Sequence, residues 1–158
     1  MIVEFERKFI PKDYSWQILI GHTEHIKQGY ISQENGNSVY VYSNELEGDV
    51  QTCLYIEGND SDFGRIEYEI QALEKDQGNK LFNLCPTKTL EIKRHHILNN
   101  QLEIEVDEFL GKLEKLFVIT IILKHQHEEI ELPGWIGKEV TDDPRYYNRK
   151  LVNIQKNI

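Results

Sequence analysis

The opening segment Glu4-Phe5-Glu6-Arg7-Lys8-Phe9 sets acid, acid and ammonium at alternate positions. Side chains alternate between the faces of a β-strand, so Glu4, Glu6 and Lys8 share one row while Val3, Phe5 and Phe9 share the other. Next-but-one Cβ atoms lie roughly 6.5–7 Å apart, close enough for two flexible carboxylates to share a divalent cation through oxygen ligands and waters. The same alternation also describes the solvated face of an antiparallel sheet, and on these residues alone both readings stand. Gly64-Arg65-Ile66-Glu67-Tyr68-Glu69-Ile70-Gln71 divides in the same way, Arg65, Glu67, Glu69 and Gln71 against Ile66, Tyr68 and Ile70.

Period-two segments dominate the chain that must position these residues. Strands are expected at 25–33, 38–43, 50–57, 64–71, 88–97, 101–107 and 116–125, besides the opening one. Glu34-Asn35-Gly36-Asn37 is a strong hairpin signal. Asp13 is placed to cap a short helix over Tyr14–Leu19, and residues 74–84 lead into another that Pro86 stops. From Asp143, the spacing of Tyr147, Leu151 and Ile154 predicts a terminal amphipathic helix. Eight strands joined mostly by short turns point to a mainly β, closed antiparallel barrel, since closure removes unpaired edges.

At 158 residues the size suits one domain, residues 1–158. The balance of 18 basic to 27 acidic side chains argues against a general grip on nucleic acid. MIVEFERKF lacks the basic region and apolar run of a signal peptide, and the longest apolar run, Leu116 to Leu123, is far below membrane-spanning length. A soluble, cytoplasmic protein is expected. Cys53 and Cys85 form no CxxC and read as packing residues. His95 and His96 point to opposite faces of a strand, and His125 and His127 read as a solvated pair. No P-loop, GxSxG or HExxH is present.

The assembled pattern resembles the CYTH, or triphosphate tunnel metalloenzyme, superfamily in its short bacterial single-domain form. The resemblance is carried by Glu4-x-Glu6-x-Lys8, Gln28-Gly29-Tyr30, Arg65-x-Glu67-x-Glu69 and the ending Trp135-Ile136-Gly137-Lys138-Glu139-Val140-Thr141-Asp142-Asp143-Pro144-Arg145-Tyr146-Tyr147-Asn148. It implies an eight-stranded β-tunnel lined with charges, a triphosphate substrate (tripolyphosphate, a nucleoside triphosphate or thiamine triphosphate), Mg²⁺ or Mn²⁺, and often a homodimer. Residue by residue it implies metal binding by Glu4, Glu6, Glu67, Glu69, Asp107 and Glu139, phosphate binding by Lys8, Arg65 and Arg94, and catalytic roles for Lys8 and Glu6. Glu105 matches the partner of Asp107 in the family's acidic pair. Adenylate cyclisation needs adenine and ribose contacts that no feature of the sequence supplies.

The chain also departs from the family's pattern. Tyr40 and Tyr42 stand where the family carries two arginines, Glu57 where it carries a lysine, and Ile92 at another lysine position, with Lys93 out of phase. Thr120 and Ile122 replace two late-strand glutamates. Glu4, Glu6, Glu57, Glu67, Glu69, Glu105 and Asp107 then oppose only Lys8, Arg65 and Arg94 in the expected lumen. Like charges ~4 Å apart repel by ~4 kcal/mol at an effective dielectric of 20. The expected function is therefore a diverged, divalent-metal-dependent triphosphate hydrolase of reduced activity. Two alternatives remain: a non-catalytic tunnel that binds a divalent cation or a cationic or aromatic ligand on Tyr40 and Tyr42, and lumen charges that are simply satisfied ion pairs.

Overall fold

The computed structural model describes residues 5–60 and 64–154, without the side chains of Asp60 and Arg65. Alternation of β-branched and aromatic residues with polar ones yields nine strands: β1 Phe5–Pro11, β2 His22–Glu34, β3 Asn37–Leu46, β4 Asp49–Asp60, β5 Gly64–Leu73, β6 Thr89–Asn99, β7 Leu102–Phe109, β8 Phe117–Leu123 and β9 Ile136–Glu139. Two helices join them, α1 Lys75–Asn83 and α2 Asn148–Leu151. The strands form one sheet in the order β5-β4-β3-β2-β6-β7-β8-β1-β9. Among the described residues no pairing joins β5 to β9, so the sheet is antiparallel and nine-stranded without the expected closure. No helix among the described residues is long and apolar enough to cross a membrane.

The chain separates into two compact units, His25–Glu91 with the segment from Asn148, and Ile92–Tyr147 with β1 and the residues up to Glu24. In the latter, the apolar rows of β1, β6, β7 and β8 meet in a core of Phe9, Trp16, Ile97, Ile104, Val106, Ile119 and Ile121, completed by Trp135 and Ile136. Phe9 thus turns away from Glu6 and Lys8, as alternation requires. Trp16 enters that core from a 3₁₀ turn, Ser15–Leu19, which Asp13 starts by accepting from the Ser15 amide at 2.8 Å and its hydroxyl at 2.5 Å. In the other unit a smaller core gathers Val41, Phe82 and Cys85. The Asn35-Gly36 turn there has both residues at positive φ, 53° and 79°, the twist that suits a two-residue hairpin.

Three expectations are corrected. Sequence reading counted eight strands, but Ile136–Glu139 adds a ninth against β1, where Phe9 faces Glu139 and Pro11 faces Ile136 across a bulge. A Cβ on Gly137 would stand 2.7 Å from the Ile10 carbonyl oxygen, so the glycine of the ending motif is what lets β9 lie against β1. The terminal helix is shorter than its apolar spacing suggests. A 3₁₀ turn at Pro144–Tyr146 ends in extended backbone at Tyr147, whose hydroxyl donates to the Thr141 carbonyl at 2.9 Å, and α2 restarts for four residues only. Finally, Tyr68 and Ile70, whose apolar row alternation would turn toward a packing layer, are exposed on β5, a terminal strand of the sheet order. His125 and His127 fall just beyond β8 and are both exposed, in keeping with a solvated pair.

Candidate active site

Cross-strand register builds a charged face in the unit containing β1. Lys8 stands opposite Thr120, Thr120 opposite Glu105, and Glu105 opposite His96. Directly opposed residues on antiparallel strands share a face, and Glu6, Arg94 and Asp107 join this one by alternation. The Lys8 ammonium donates to Thr120 Oγ1 at 3.0 Å and lies 3.5 Å from the Glu6 carboxylate. The backbone beneath it is pinned by β9 and the residues after it: the Val140 amide donates to the Lys8 carbonyl at 2.7 Å, and the Lys8 amide to Thr141 Oγ1 at 3.0 Å.

Arg94 is held in a fork. Its Nε donates to Asp107 Oδ1 at 2.8 Å and its Nη2 to Asp107 Oδ2 at 3.0 Å, the bidentate geometry that makes arginine–carboxylate pairs strong. Glu105 approaches the same Nε at 3.4 Å. Burial raises the Glu105 carboxyl above its ordinary range; Arg94 pulls it back, while the charge of Asp107 pushes it further up. A carboxyl so placed keeps its proton to higher pH than a free one.

Glu139 is not brought to this face. Arg7, on the opposite row of β1, donates from Nε at 2.9 Å and Nη2 at 2.8 Å to its two oxygens, and Thr141 Oγ1 donates at 2.6 Å. The Arg7 bonds and that hydroxyl hold the Glu139 carboxyl down at about 2. The closing motif therefore supports β1 rather than the acidic row. Glu4 lies outside the described residues. Arg65 pairs through its backbone with Asn59, and its side chain is likewise outside them.

His96, to which the sequence reading gave no role, belongs to the face, opposite Glu105. His96 Nε2 lies 2.9 Å from Glu24 Oε2, and its ring stacks on His22 at 4.3 Å. The signal was available, since His96 follows Arg94 by two on one strand. His95, on the other row, meets Thr23 and Glu108 at 2.8 and 3.2 Å.

The remaining expected residues lie in the other unit, on β3, β4 and β5. Tyr40 faces Tyr30 on one side and Tyr55 on the other, with ring centroids 5.3 and 5.4 Å away. Tyr42 meets Tyr55 edge-on at 5.9 Å. Glu57 stands opposite Ser38 and Glu67, and Tyr55 opposite Glu69. The buried Tyr40 hydroxyl donates to Glu67; burial, then the Glu67 charge, raises its titration out of reach. Packed aromatic rings thus occupy the positions where arginines were expected.

The described residues do not by themselves fit a divalent cation. No three acidic, histidine or cysteine groups among them stand close enough to hold one, and both oxygens of Asp107, the most buried acid of the face, are bound to Arg94. Glu6, half-exposed, is the carboxylate of this face left nearest solvent.

The chain belongs to the CYTH, or triphosphate tunnel metalloenzyme, superfamily. It is 34% identical over 155 residues to an inorganic triphosphatase of Acetivibrio thermocellus, covering 98% of this chain and 96% of that one. An inorganic triphosphatase of Nitrosomonas europaea is 29% identical over 154 residues, covering 95% and 97%. Among solved structures, an inorganic triphosphatase superposes with a TM-score of 0.75 at 22% identity over 99% of both chains. A Hippeastrum protein, described as a putative adenylyl cyclase with a dominant triphosphatase activity, superposes at 0.56 with 10% identity over 78% of this chain and 80% of its own. No family model matches the chain.

Proposed function

We propose that this protein is a hydrolase of a small triphosphate, inorganic tripolyphosphate foremost, with lower efficiency than its relatives. The observation that carries the reading is the common face of Lys8, Arg94, Glu6 and Glu105, together with relatives named inorganic triphosphatases over nearly the whole chain. Lys8, held by Thr120, and Arg94, held by Asp107, present cations of fixed direction to phosphate oxygens. Glu105, whose carboxyl burial raises above its ordinary range, lies beside Arg94 on the same face. Mg²⁺ or Mn²⁺ belongs to this reading by resemblance alone, since the described residues assemble no set of three ligands for it.

Lower efficiency is inferred from two features. Arg94 already has an anionic partner in Asp107, so phosphate must compete for it. Tyr40 and Tyr42 place uncharged rings where the family has cations, each missing charge-assisted contact forfeiting roughly 1.5–3 kcal/mol. The test is phosphate release from tripolyphosphate, nucleoside triphosphates and thiamine triphosphate, with Mg²⁺ and Mn²⁺ supplied separately. Lys8→Ala should lower turnover on the order of 100-fold, the scale for removing one donor to developing charge. No release from any substrate, or release indifferent to both Lys8→Ala and Arg94→Ala, rejects the proposal.

A second reading, a binding face for an organic cation, is favoured by Tyr42 and Tyr55, whose rings meet edge-on beside Glu69. Tetramethylammonium should then perturb tyrosine emission, through attraction of the cation to the ring faces. An unchanged spectrum at millimolar concentrations sets this reading aside.

A further inference from the structure

A cavity of about 480 Å³ opens in the unit containing β2 and β3, within the ~300–1,000 Å³ typical of small-molecule sites. Its wall begins where the β2–β3 register shifts between Tyr30 and Ser32, which turns the end of the hairpin away from the regular ladder. The charged residues lining it are Lys88, Arg149 and Lys150, with Glu34 the single acid. Three cations against one carboxylate is a local reversal in a chain of net charge −9.

The wall is also fixed in place. The Arg149 carbonyl accepts from Gln33 Nε2 at 2.7 Å and Asn153 Nδ2 at 3.1 Å, the Lys88 ammonium donates to Asn153 Oδ1, and Asn153 Nδ2 also reaches Gln33 Oε1 at 3.2 Å. Leu151 and Val152 anchor this end of the chain by burial. Ser38 lines the cavity as well and is only 3% exposed, so its side chain belongs to the fixed wall rather than to open surface.

We propose that this cavity binds a small, multiply charged phosphate anion, through Lys88, Arg149 and Lys150, with Ser38 donating to one of its oxygens. Arginine and lysine around a polar, amide-rich wall suit phosphoryl oxygens, which accept several charge-assisted bonds at once. None of these residues is among those of the proposed catalytic face, so the site does not depend on the hydrolase reading.

The test is pyrophosphate titrated without metal into the full chain, followed by backbone amide NMR. Shifts are expected at Asn35, Gly36, Asn37, Lys150 and Asn153, and they should persist in Lys8→Ala. Lys88→Glu with Lys150→Glu should weaken binding by at least tenfold for each lost contact, the scale of a charge-assisted hydrogen bond. Ser38→Ala, a small change that keeps the fold, should weaken it several-fold. Shifts confined to other residues, affinity unchanged in both variants, or succinate binding as tightly as pyrophosphate would each overturn the proposal.

Discussion

Replacing Asp107 by Asn tests how the charged face is held together. The wild-type fork places two oxygens at 2.8 and 3.0 Å from Arg94, with the Asp107 side chain 8% and the Arg94 side chain 21% exposed. Breaking a buried ion pair by neutralising one partner costs about 3–5 kcal/mol. Here Glu105 remains 3.4 Å from the guanidinium as a substitute counter-charge, which reduces the expected loss to about 2 kcal/mol. At roughly 2–4 °C per kcal/mol for a chain of this size, Tm should fall by about 4–8 °C. The pH dependence is the sharper readout. The folded state raises the Glu105 carboxyl, so its contribution to stability is full below the unfolded value and is lost as pH rises through the raised one. Asp107 is one cause of that rise; without its charge Glu105 titrates lower and ionises at less cost. The stability deficit of Asp107→Asn should therefore shrink as pH climbs from the ordinary carboxylate range upward through the raised one. Urea unfolding across that range, paired with carbon-detected titration of Glu105, measures both. A deficit below about 0.5 kcal/mol at every pH would show that the fork contributes nothing net. A deficit that is flat with pH would refute the coupling to Glu105.

Glu139→Gln removes the acceptor of Arg7 at an exposed site, so its cost near neutrality should stay under about 1 kcal/mol. Because the Glu139 carboxyl is lowered to about 2, that cost should vanish as pH falls from about 4.5 toward 2, which acid titration of stability against wild type would show. Gly29→Ala should be more damaging than its size suggests, by about 1–3 kcal/mol, since the added Cβ would meet Cys85 Sγ at 2.7 Å and Phe82 at 3.0 Å. Chemical denaturation checks it, and a loss under ~0.5 kcal/mol would show that α1 yields easily.

Alternation alone was enough to sort Phe9 away from Lys8 and Glu6, because a period of two leaves a side chain only two directions, whereas Arg94 and Asp107 were legible only through the resemblance. What alternation cannot supply is which strands neighbour one another. That Arg94 meets Asp107, and Lys8 meets Thr120, follows from register between segments far apart in sequence. The strand at Ile136–Glu139 was hidden for a different reason: four residues are too few to display a period, and its identity rests on Gly137 lying against the Ile10 backbone. The pairing of Glu139 with Arg7 was hidden with it, since Arg7 belongs to the row of β1 that seemed purely apolar. The terminal helix failed because Tyr147, apolar in spacing, is tied by its hydroxyl to Thr141 in a backbone that is not helical.

Both tryptophans of the chain, Trp16 and Trp135, sit in the single core built around Phe9, while the contiguous ring stack of Tyr30, Tyr40, Tyr55 and Tyr42 belongs to the other unit. The molecule consequently carries two spectroscopically distinct reporters, one for each unit, without any label. Indole emission follows the melting of one, and the near-ultraviolet dichroism of the stacked phenols follows the other. If the nine-stranded sheet unfolds as one cooperative body, the two signals must trace the same denaturation curve; a gap between their midpoints, multiplied by the denaturant slope, would give the free energy by which one unit outlives the other.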